Sequence, residues 1–434
     1  MAHIGMVVPC WIGHLNPMSA LGRELQRGGH RITMISFPDA AERLSRAGLD
    51  HQVIGTTAFP EGDWERRTGV LSRLTGFAAA KYTIAWIARV SRVMLAELPE
   101  TLRNGSFDGV VMDQVCYGAE CAADEAGVPL GLACNALPVH FQPDIPVHSE
   151  TWPWRTDPFS LFRNWVMQSV IITTAKPLFR PIENAQRAKG RPWNTRKYLN
   201  EVPPTLIQIA QLPACLDFPR RHAPDHFHHT GPWHEAKIPS ADGFDWTWLD
   251  GRPLIYASLG TLQNGLDHVY QTILDACADL PVQVVVGLGR DHGPRPQRIP
   301  PNSQVLGYAP QLALLKRASL VITHAGLNTT LESLAQGLPM VALPITNEQP
   351  GIAARIRHAG VGEFLSLRRL TAARLRATLQ QVSSDPSYRK RAQECAAQIS
   401  HDTGLVRAAA LLDEAFTSRR RVRREHGAVD SGAD

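Results

Sequence analysis

The stretch that decides the fold runs from Leu320 to Gly337 and reads LVITHAGLNTTLESLAQG. Its first four residues are apolar or β-branched, which is typical of a buried parallel strand. The segment from about 328 to 336 is rich in helix formers, and Gly337 has the position of a C-terminal helix cap. His324-Ala-Gly allows the chain to turn sharply between these two elements. The pattern therefore predicts one βα unit.

The start of the helix in this unit is a predicted binding site for phosphate. Asn328 or Thr329 is placed to cap the first helical turn. A helix N-terminus carries unpaired N–H groups and partial positive charge, so it attracts phosphate groups. The ring of His324 adds one more hydrogen-bond donor. Together these residues predict a cradle for a diphosphate.

The same alternation of strand and helix occurs on both sides of this unit. Ile4–Val8 and His30–Ser36 are predicted strands, and the helix between them is predicted to begin at Asn16, followed by a proline at the first helical position. A second alternating series begins at Pro253. With 434 residues the chain accommodates two domains of about 200 residues each. The fold class is therefore α/β, with two doubly wound Rossmann-like domains facing each other across a cleft.

The predicted boundaries follow changes in composition. The segment from 137 to about 204 is rich in Pro and Trp and is expected to be less regular, and the histidine-rich segment after it fits an exposed linker. The predicted segments are an N-terminal domain at 1–218, a linker at 219–234, a C-terminal domain at 235–401, a helix returning to the N-terminal domain at 402–418, and a basic tail at 419–434. The tail has two interpretations, a solvated mobile end or a segment that docks on an anionic membrane surface.

Composition excludes several classes of protein. The chain is 44% apolar and 20% charged, as expected for a soluble globular protein, and its formal charge of +5 is too mild to indicate a nucleic-acid partner. No apolar stretch approaches the roughly 20 residues that a membrane span needs. The N-terminus enters a strand without the features of a signal peptide. The seven cysteines form no C-x-x-C pair, so the expected location is the reducing cytoplasm, with contact to a membrane surface as the alternative for the tail.

Three linked submotifs carry a resemblance to a known family. Tyr308-Ala-Pro-Gln311, the run His324 to Thr330 with Glu332, and Asn347-Glu-Gln349 resemble the donor-binding signature of family 1 glycosyltransferases, which take sugars from UDP-sugars. The last two submotifs keep the family spacing, whereas the first two are two residues closer than in the plant enzymes. Leu327 replaces the second Trp of the plant signature. The resemblance implies the GT-B architecture and a metal-independent hexosyltransferase.

The resemblance also implies roles for individual residues in binding the donor. Tyr308 is expected against the uracil, with the Ala309 backbone hydrogen-bonded to the base. Glu332 is expected to accept from the ribose hydroxyls, and Glu348 and Gln349 to hold the sugar, for which glucose is the first candidate. The full predicted donor-binding set is Ser258, Thr261, Tyr308, Ala309, Gln311, His324, Gly326, Asn328, Thr329, Glu332, Glu348 and Gln349. For Ser258 an ordinary helix cap is the alternative.

A catalytic base is predicted in the N-terminal domain. The run Trp11 to Pro17 places His14 at the carboxyl end of the first strand, the edge where open α/β sheets bind ligands. The family resemblance implies that this histidine deprotonates the acceptor in an inverting reaction, oriented by a carboxylate about a hundred residues later. Asp113 follows a strand at that point. Asp108 and Asp124 are nearby alternatives, but Asp108 belongs to the start of the strand, away from the cleft.

Neither a metal nor a cofactor is predicted. The chain has no Asp-x-Asp, the arrangement by which metal-dependent glycosyltransferases hold the ion on the diphosphate, and the helix dipole and His324 are expected to neutralise its charge. The histidines of the linker lack cysteine partners and a clear helical spacing, so a zinc site there is not expected. These histidines are His222, His226, His228, His229 and His234.

The acceptor is expected to be hydrophobic. Aromatic residues are concentrated in the N-terminal domain, and Trp11, Trp86 and Phe141 are the predicted acceptor contacts, with a purely structural core as an equal alternative. The run from Glu348 to Arg355 resembles bacterial zeaxanthin glucosyltransferases and implies a carotenoid acceptor. A polyketide, sterol or phenolic aglycone is the alternative. From other functional classes, a UDP-sugar epimerase and an inactive helper protein of the same fold remain as hypotheses.

Overall fold

A computed structural model describes residues 1–74, 76–235, 243–260, 265–290, 295–399 and 401–424 of the chain, and only the backbone of residues 401–403. Within these ranges the strands form two sheets, and every strand pair in both is parallel. Helices flank the sheets. The prediction of two doubly wound α/β units is confirmed.

The first sheet has seven strands in the order β3-β2-β1-β4-β5-β6-β7. Its strands are β1 His3–Val7, β2 Arg31–Ser36, β3 Asp50–Val53, β4 Gly109–Asp113, β5 Leu130–Cys134, β6 Ile207–Ala210 and β7 Phe227–His229. The helices around it are α1 Ile12–Arg27, α2 Ala41–Arg46, α3 Asp63–Leu71, α4 Gly76–Ala96, α5 Leu98–Gly105, α6 Ala119–Ala126, α7 Pro158–Thr174, α8 Lys176–Ala188 and α9 Thr195–Glu201. Short 3-10 helices occur at Pro38–Ala40 and Ala214–Leu216.

The second sheet has six strands in the order β10-β9-β8-β11-β12-β13. Its strands are β8 Leu254–Ser258, β9 Gln283–Gly287, β10 Ser303–Leu306, β11 Ala318–Thr323, β12 Met340–Ala342 and β13 Gly362–Phe364. The remaining helices are α10 Asp267–Cys277, α11 Gln311–Leu315, α12 Leu327–Ala335, α13 Gln349–His358, α14 Ala372–Ser384, α15 Pro386–Gln398 and α16 His401–Ser418. Trp246–Trp248 and Leu367–Arg369 are 3-10 helices.

The strand order reverses once in each sheet, between β1 and β4 and between β8 and β11. Loops that leave neighbouring strands at such a point run to opposite faces of the sheet and open a crevice between them. The start of α1 with His14 and the end of β4 with Asp113 lie at the first of these points, and Ser258 and His324 at the second. The topology therefore brings the predicted catalytic and phosphate-binding residues to the crevice of each sheet.

Two segments differ from their predicted character. The linker expected at 219–234 contains β7, which pairs with β6 at the edge of the first sheet and buries Phe227 completely. A strand of three residues is too short to show an alternating pattern in sequence. The segment from 137 to 204, expected to be irregular, forms α7, α8 and α9. Helix α7 was missed because the residues on its buried side are polar.

The C-terminal helix α16 packs on the first sheet, although the chain reaches it from the second. It contacts α1, β5 and β6. A Cβ added to Gly109 would lie 2.7 Å from the ring of Phe416, so glycine in β4 makes room for this helix. The first part of the basic tail is also held: Val422 is buried, and its amide donates to the carbonyl of Leu206 at 3.2 Å. A mobile tail is therefore wrong for residues 419–424, and 425–434 lie outside the described residues.

A buried ion cluster joins the two units. Arg355 of α13 donates through Nε to Asp217 Oδ1 at 2.6 Å, and Arg220 donates to the other oxygen of the same carboxylate. The guanidinium of Arg355 also lies 4.2 Å from the ring centroid of Phe218. Burial opposes ionisation of Asp217, but the two arginines hold the pKa of its carboxyl well below the usual range. The cluster fixes α13, which begins at the predicted sugar-binding residues, against the loop before β7.

Candidate active site

The predicted catalytic pair is formed at the switch point of the first sheet. His14 Nδ1 lies 2.8 Å from Asp113 Oδ2. Asp113 is completely buried, and its carboxylate also accepts from Asn135 Nδ2 at 2.7 Å and from the Val115 amide at 2.9 Å. A carboxylate accepts the proton on Nδ1, so Nε2 of a neutral His14 is left as the basic nitrogen. His14 lines the cleft.

Electrostatics adjust the basicity of this histidine. Burial lowers the pKa of His14, but the charge and hydrogen bond of Asp113 outweigh it, and the nearby Glu348 adds to the increase, so that the pKa is raised overall. The two alternative carboxylates have other partners. Asp108 accepts from the His3 amide at 2.8 Å, and Asp124 pairs with Lys189 at 2.9 Å. Only Asp113 among the three is bonded to His14.

Helix α1 begins one turn earlier than predicted. It starts at Ile12 rather than after Asn16, so that Pro17 lies inside the helix and His14 in its first turn. A proline has no N–H, and the carbonyl four residues before it therefore receives no helical hydrogen bond. That carbonyl belongs to Gly13. It accepts instead from Asn328 Nδ2 at 2.9 Å, across the cleft from the second sheet.

The role predicted for Asn328 as a helix cap is therefore wrong. Helix α12 begins at Leu327 with Gly326 at the N-cap position, and no side chain caps it. The Asn328 amide instead joins the two units, since its oxygen also accepts from Gln211 Nε2 at 3.0 Å. Gly337 follows the C-terminal end of the helix with φ +63, as its predicted capping position requires.

His324 lies between two glycines at the start of α12. A Cβ on Gly326 would be 2.4 Å from His324 Nε2, and one on Gly260 would be 2.6 Å from Cε1. The left-handed conformation of the turn falls on Ala325, with φ +64, and not on Gly326. Gly326 is thus required by the space of the ring rather than by the turn. The left-handed conformation of Ala325 is a backbone strain, and strain of this kind in non-glycine residues is concentrated at functional sites.

The charge expected on His324 is opposed by the burial of its ring. Burial lowers the pKa of His324 to about 4, against a smaller opposing hydrogen bond with the Ser258 backbone. The ring is neutral near pH 7 and offers a hydrogen bond rather than a cation. Ser258 itself ends β8 and accepts from the Gly260 amide at 3.2 Å. Thr261 lies outside the described residues.

A chain of hydrogen bonds orients the predicted ribose ligand. Tyr256 donates to Gln311 Oε1 at 2.9 Å, and Gln311 Nε2 donates to Glu332 and, at 3.4 Å, to Thr329 Oγ1. Burial raises the pKa of Glu332 to about 7, partly offset by the bond from Gln311. Tyr256 was missed from sequence because a tyrosine in a buried strand is an ordinary core residue.

The predicted sugar-binding residues lie at the start of α13. Glu348 precedes the helix, and burial raises the pKa of its carboxyl, while the charge of His14 opposes this increase. Gln349 Oε1 accepts from the amides of Ile345 at 2.8 Å and Thr346 at 3.1 Å. Gln349 therefore orders the loop that presents Glu348.

The two residues predicted to bind the nucleobase differ in how freely they can contact it. Tyr308 is 61% exposed and presents its ring at the cleft. The carbonyl of Ala309 accepts from the Gln311 amide at 2.7 Å. An exposed ring at a cavity wall can stack on a nucleobase, whereas the Ala309 carbonyl already has one partner.

One cleft of about 1310 Å³ contains both sets of residues. This volume exceeds the roughly 300–1,000 Å³ of an ordinary small-molecule pocket, so it has room for two substrates. Of the predicted acceptor contacts, Trp11 and Phe141 line it, whereas Trp86 is buried among Trp11, Trp64 and Tyr82 in an aromatic core. The assignment of Trp86 to the acceptor is therefore wrong.

The apolar wall of the cleft comes mainly from helices α4, α7 and α8. These residues were missed because the sequence does not show which face of a helix meets a cavity. They include Phe77, Ala80, Ile84, Ile87, Met167, Val170, Ile171, Leu178 and Phe179.

The histidines near β7 have structural partners. His228 Nε2 lies 2.9 Å from the Val422 carbonyl, and His229 Nδ1 lies 2.9 Å from the Leu212 carbonyl. Among the residues that the structure describes, no group of three or more His, Cys, Asp or Glu side chains is placed to hold a metal ion.

The sequence of the chain is similar to those of known glycosyltransferases. The profile of the family described as UDP-glucoronosyl and UDP-glucosyl transferase matches residues 65–416. A zeaxanthin glucosyltransferase of Pantoea ananas is 29% identical, with 95% of this chain and 96% of the relative covered. An NDP-glycosyltransferase of Bacillus licheniformis is 37% identical, with 92% and 93% covered.

Solved structures agree on the architecture. The glycotransferase of kitacinnamycin has a TM-score of 0.73 at 23% identity, covering 95% of this chain and 98% of that one. The calicheamicin glycosyltransferase has a TM-score of 0.70 at 22% identity, covering 96% and 99%. The predicted GT-B fold is confirmed.

Proposed function

The chain belongs to the family of UDP-glucoronosyl and UDP-glucosyl transferases, and we propose that it transfers a hexose, with glucose as the first candidate, from a UDP-sugar to a hydroxyl group of a hydrophobic acceptor. It is a GT-B glycosyltransferase of family 1 type. The observation that carries the proposal is that His14, paired with the buried Asp113, and Glu348 of the second unit line the same cleft.

In the proposed reaction His14 acts as the general base. Its Nε2 removes the proton from the acceptor hydroxyl, and the oxygen attacks the anomeric carbon on the side opposite the diphosphate, so the configuration is inverted. The new O–C bond forms as the bond between the anomeric carbon and the β-phosphate oxygen breaks. Asp113 stabilises the imidazolium that forms. The raised pKa of His14 makes it a stronger base than an ordinary histidine.

The leaving diphosphate gains negative charge in the transition state. The N–H groups at the start of α12, where no side chain caps the helix, and the neutral ring of His324 are the proposed donors to that charge. Donors that are already oriented stabilise a developing charge without reorganising. We therefore propose a reaction that uses no metal ion, with UDP as the leaving group.

For the acceptor we propose a carotenoid such as zeaxanthin. The support is the apolar wall of the cleft and the likeness to the Pantoea ananas enzyme, whose name states that it glucosylates zeaxanthin. A long, rigid hydrocarbon with a terminal hydroxyl would place that hydroxyl at His14 and its body along α4 and α7. Polyketide, sterol and phenolic aglycones are the alternatives.

An acceptor screen with UDP-glucose, read by mass spectrometry, tests the proposal. A glucoside of zeaxanthin, and none of phenols or macrolides, is the expected result; product only from the latter would refute the carotenoid assignment. His14→Ala should lower the rate of sugar transfer to every acceptor by about 10³-fold or more, while UDP binding persists. Unchanged turnover in this variant would refute the mechanism, and no turnover with any acceptor in the wild type would favour an inactive helper.

A further inference from the structure

Helix α7 has its polar and apolar sides reversed relative to an ordinary surface helix. Ser160, Asn164 and Gln168, one helical turn apart, are buried. Asn164 Nδ2 donates to the Pro143 carbonyl at 3.1 Å, and Gln168 Nε2 donates to the Gln142 carbonyl at 2.7 Å. Hydrogen bonds to a loop, rather than apolar packing, therefore hold this side of the helix on the protein.

The outer side of α7 is apolar. Phe159 is 72% exposed, Phe162 62% and Trp165 57%, and the rings of the last two are stacked with centroids 6.1 Å apart. A surface helix of a soluble protein normally turns such residues inwards. Contiguous exposed apolar surface marks a site of interaction.

The charge around this helix is positive. No acidic residue occurs between Asp157 and Glu183, whereas Arg155 before the helix and Lys176 and Arg180 after it are exposed. Aromatic side chains on one face with cations at both ends are the features of a helix that lies in the surface of an anionic bilayer. A protein partner would not require cations at both ends of the apolar face.

The apolar side of α7 continues into the cleft. Met167, Val170 and Ile171 of the helix line the cavity, and so does Phe77 of α4, which is itself largely exposed. The same helix thus forms both the outer face and one wall of the chamber that we assign to the acceptor.

We propose that the outer face of α7, formed by Phe159, Phe162 and Trp165, docks on the surface of an anionic lipid bilayer and opens the acceptor chamber toward the membrane. None of the helices in the described part of the chain has the length and apolar character of a membrane span. The proposal gives a poorly water-soluble acceptor a direct path from the lipid to His14. Its membrane contact does not depend on the proposed acceptor, since binding to lipid is measured without substrate.

Sedimentation of the full chain with vesicles tests the docking. One set of vesicles contains phosphatidylcholine alone and the other a mixture with phosphatidylglycerol. We compare the wild type, the triple variant Phe159→Gln, Phe162→Gln, Trp165→Gln, and the control Val406→Gln, which removes an exposed apolar residue of α16. The wild type and the control are expected to bind the mixed vesicles, and the triple variant to bind them at least about tenfold more weakly.

A second variant separates charge from apolar contact. Arg155→Gln with Lys176→Gln should remove the preference for phosphatidylglycerol and leave folding unchanged, because both side chains are exposed. Equal partitioning of the wild type and the triple variant would overturn the proposal. So would a wild-type dimer in size-exclusion chromatography that the triple variant converts to a monomer, since the face would then be covered by a second copy. UDP affinity, unchanged in all variants, shows that the donor site is intact.

Discussion

Ionisation of Glu332 is expected to control the affinity for the sugar donor near neutral pH. Burial raises the pKa of this carboxyl to about 7. The ribose hydroxyls can donate to a carboxylate, whereas a protonated carboxyl loses acceptor capacity and presents a donor of its own. The donor should therefore bind more tightly above pH 7 than below it.

The size of the effect follows from the pKa. A group with a pKa of about 7 is roughly nine-tenths ionised at pH 8 and roughly one-tenth at pH 6. If only the ionised form binds the ribose, the Kd for UDP-glucose rises roughly tenfold between these two pH values, which is about 1.4 kcal/mol. Binding in turn lowers the pKa of Glu332, because the hydroxyls favour its charged form.

Isothermal titration calorimetry with UDP-glucose, at constant ionic strength, measures this slope. Glu332→Gln is the matched control, since its amide oxygen still accepts a hydrogen bond but does not titrate. This variant should bind more weakly at pH 8 and show no tenfold loss at pH 6. Protonation of His14 attracts the anionic donor and acts in the opposite direction, but it is common to both proteins. The same pH slope in both would refute the role of Glu332.

Three further predictions concern the base, the phosphate site and the contact between the two units. Asp113→Asn removes the main cause of the raised pKa of His14, so the acidic limb of the kcat/KM profile should move to lower pH while the plateau falls by about 10²–10⁴-fold; an unmoved limb would contradict the pairing. Gly326→Ala should weaken UDP-glucose binding at least about tenfold (~1.4 kcal/mol) in calorimetry, because the new Cβ would lie 2.4 Å from the His324 ring, whereas Gly69→Ala, with no atom within 4 Å, should leave affinity unchanged. Arg355→Met should lower the free energy of unfolding by about 3–5 kcal/mol in urea denaturation, because it breaks a buried ion pair. Arg357→Met, whose arginine belongs to a more exposed ion pair, is the control and should lower it by less than about 1 kcal/mol. Equal losses in the two variants would contradict a stabilising role of the buried cluster.

Part of the candidate site could be predicted because its residues follow buried strands. His14 lies in the helix that follows β1, Asp113 is the last residue of β4, and carboxyl ends of parallel strands meet at one edge of the sheet. The start of α12 was predictable for the same reason. The wall of the acceptor chamber could not be predicted in this way. Helix α7 buries Ser160 and Gln168 and exposes Phe162, whereas the pattern of apolar residues alone predicts that the phenylalanine is buried and the polar residues are exposed.

The sequence by itself determined the two α/β units, and it predicted the phosphate-binding turn and the base, because each depends on a run of neighbouring residues. Only the tertiary structure decided that Asn328 binds the Gly13 carbonyl, that Tyr256 supports Glu332 through Gln311, and that His324 is neutral. These contacts join residues that are far apart in the chain. They depend on the register of the sheets and on how the two units face each other, and burial in that arrangement sets the pKa values on which the proposed chemistry rests.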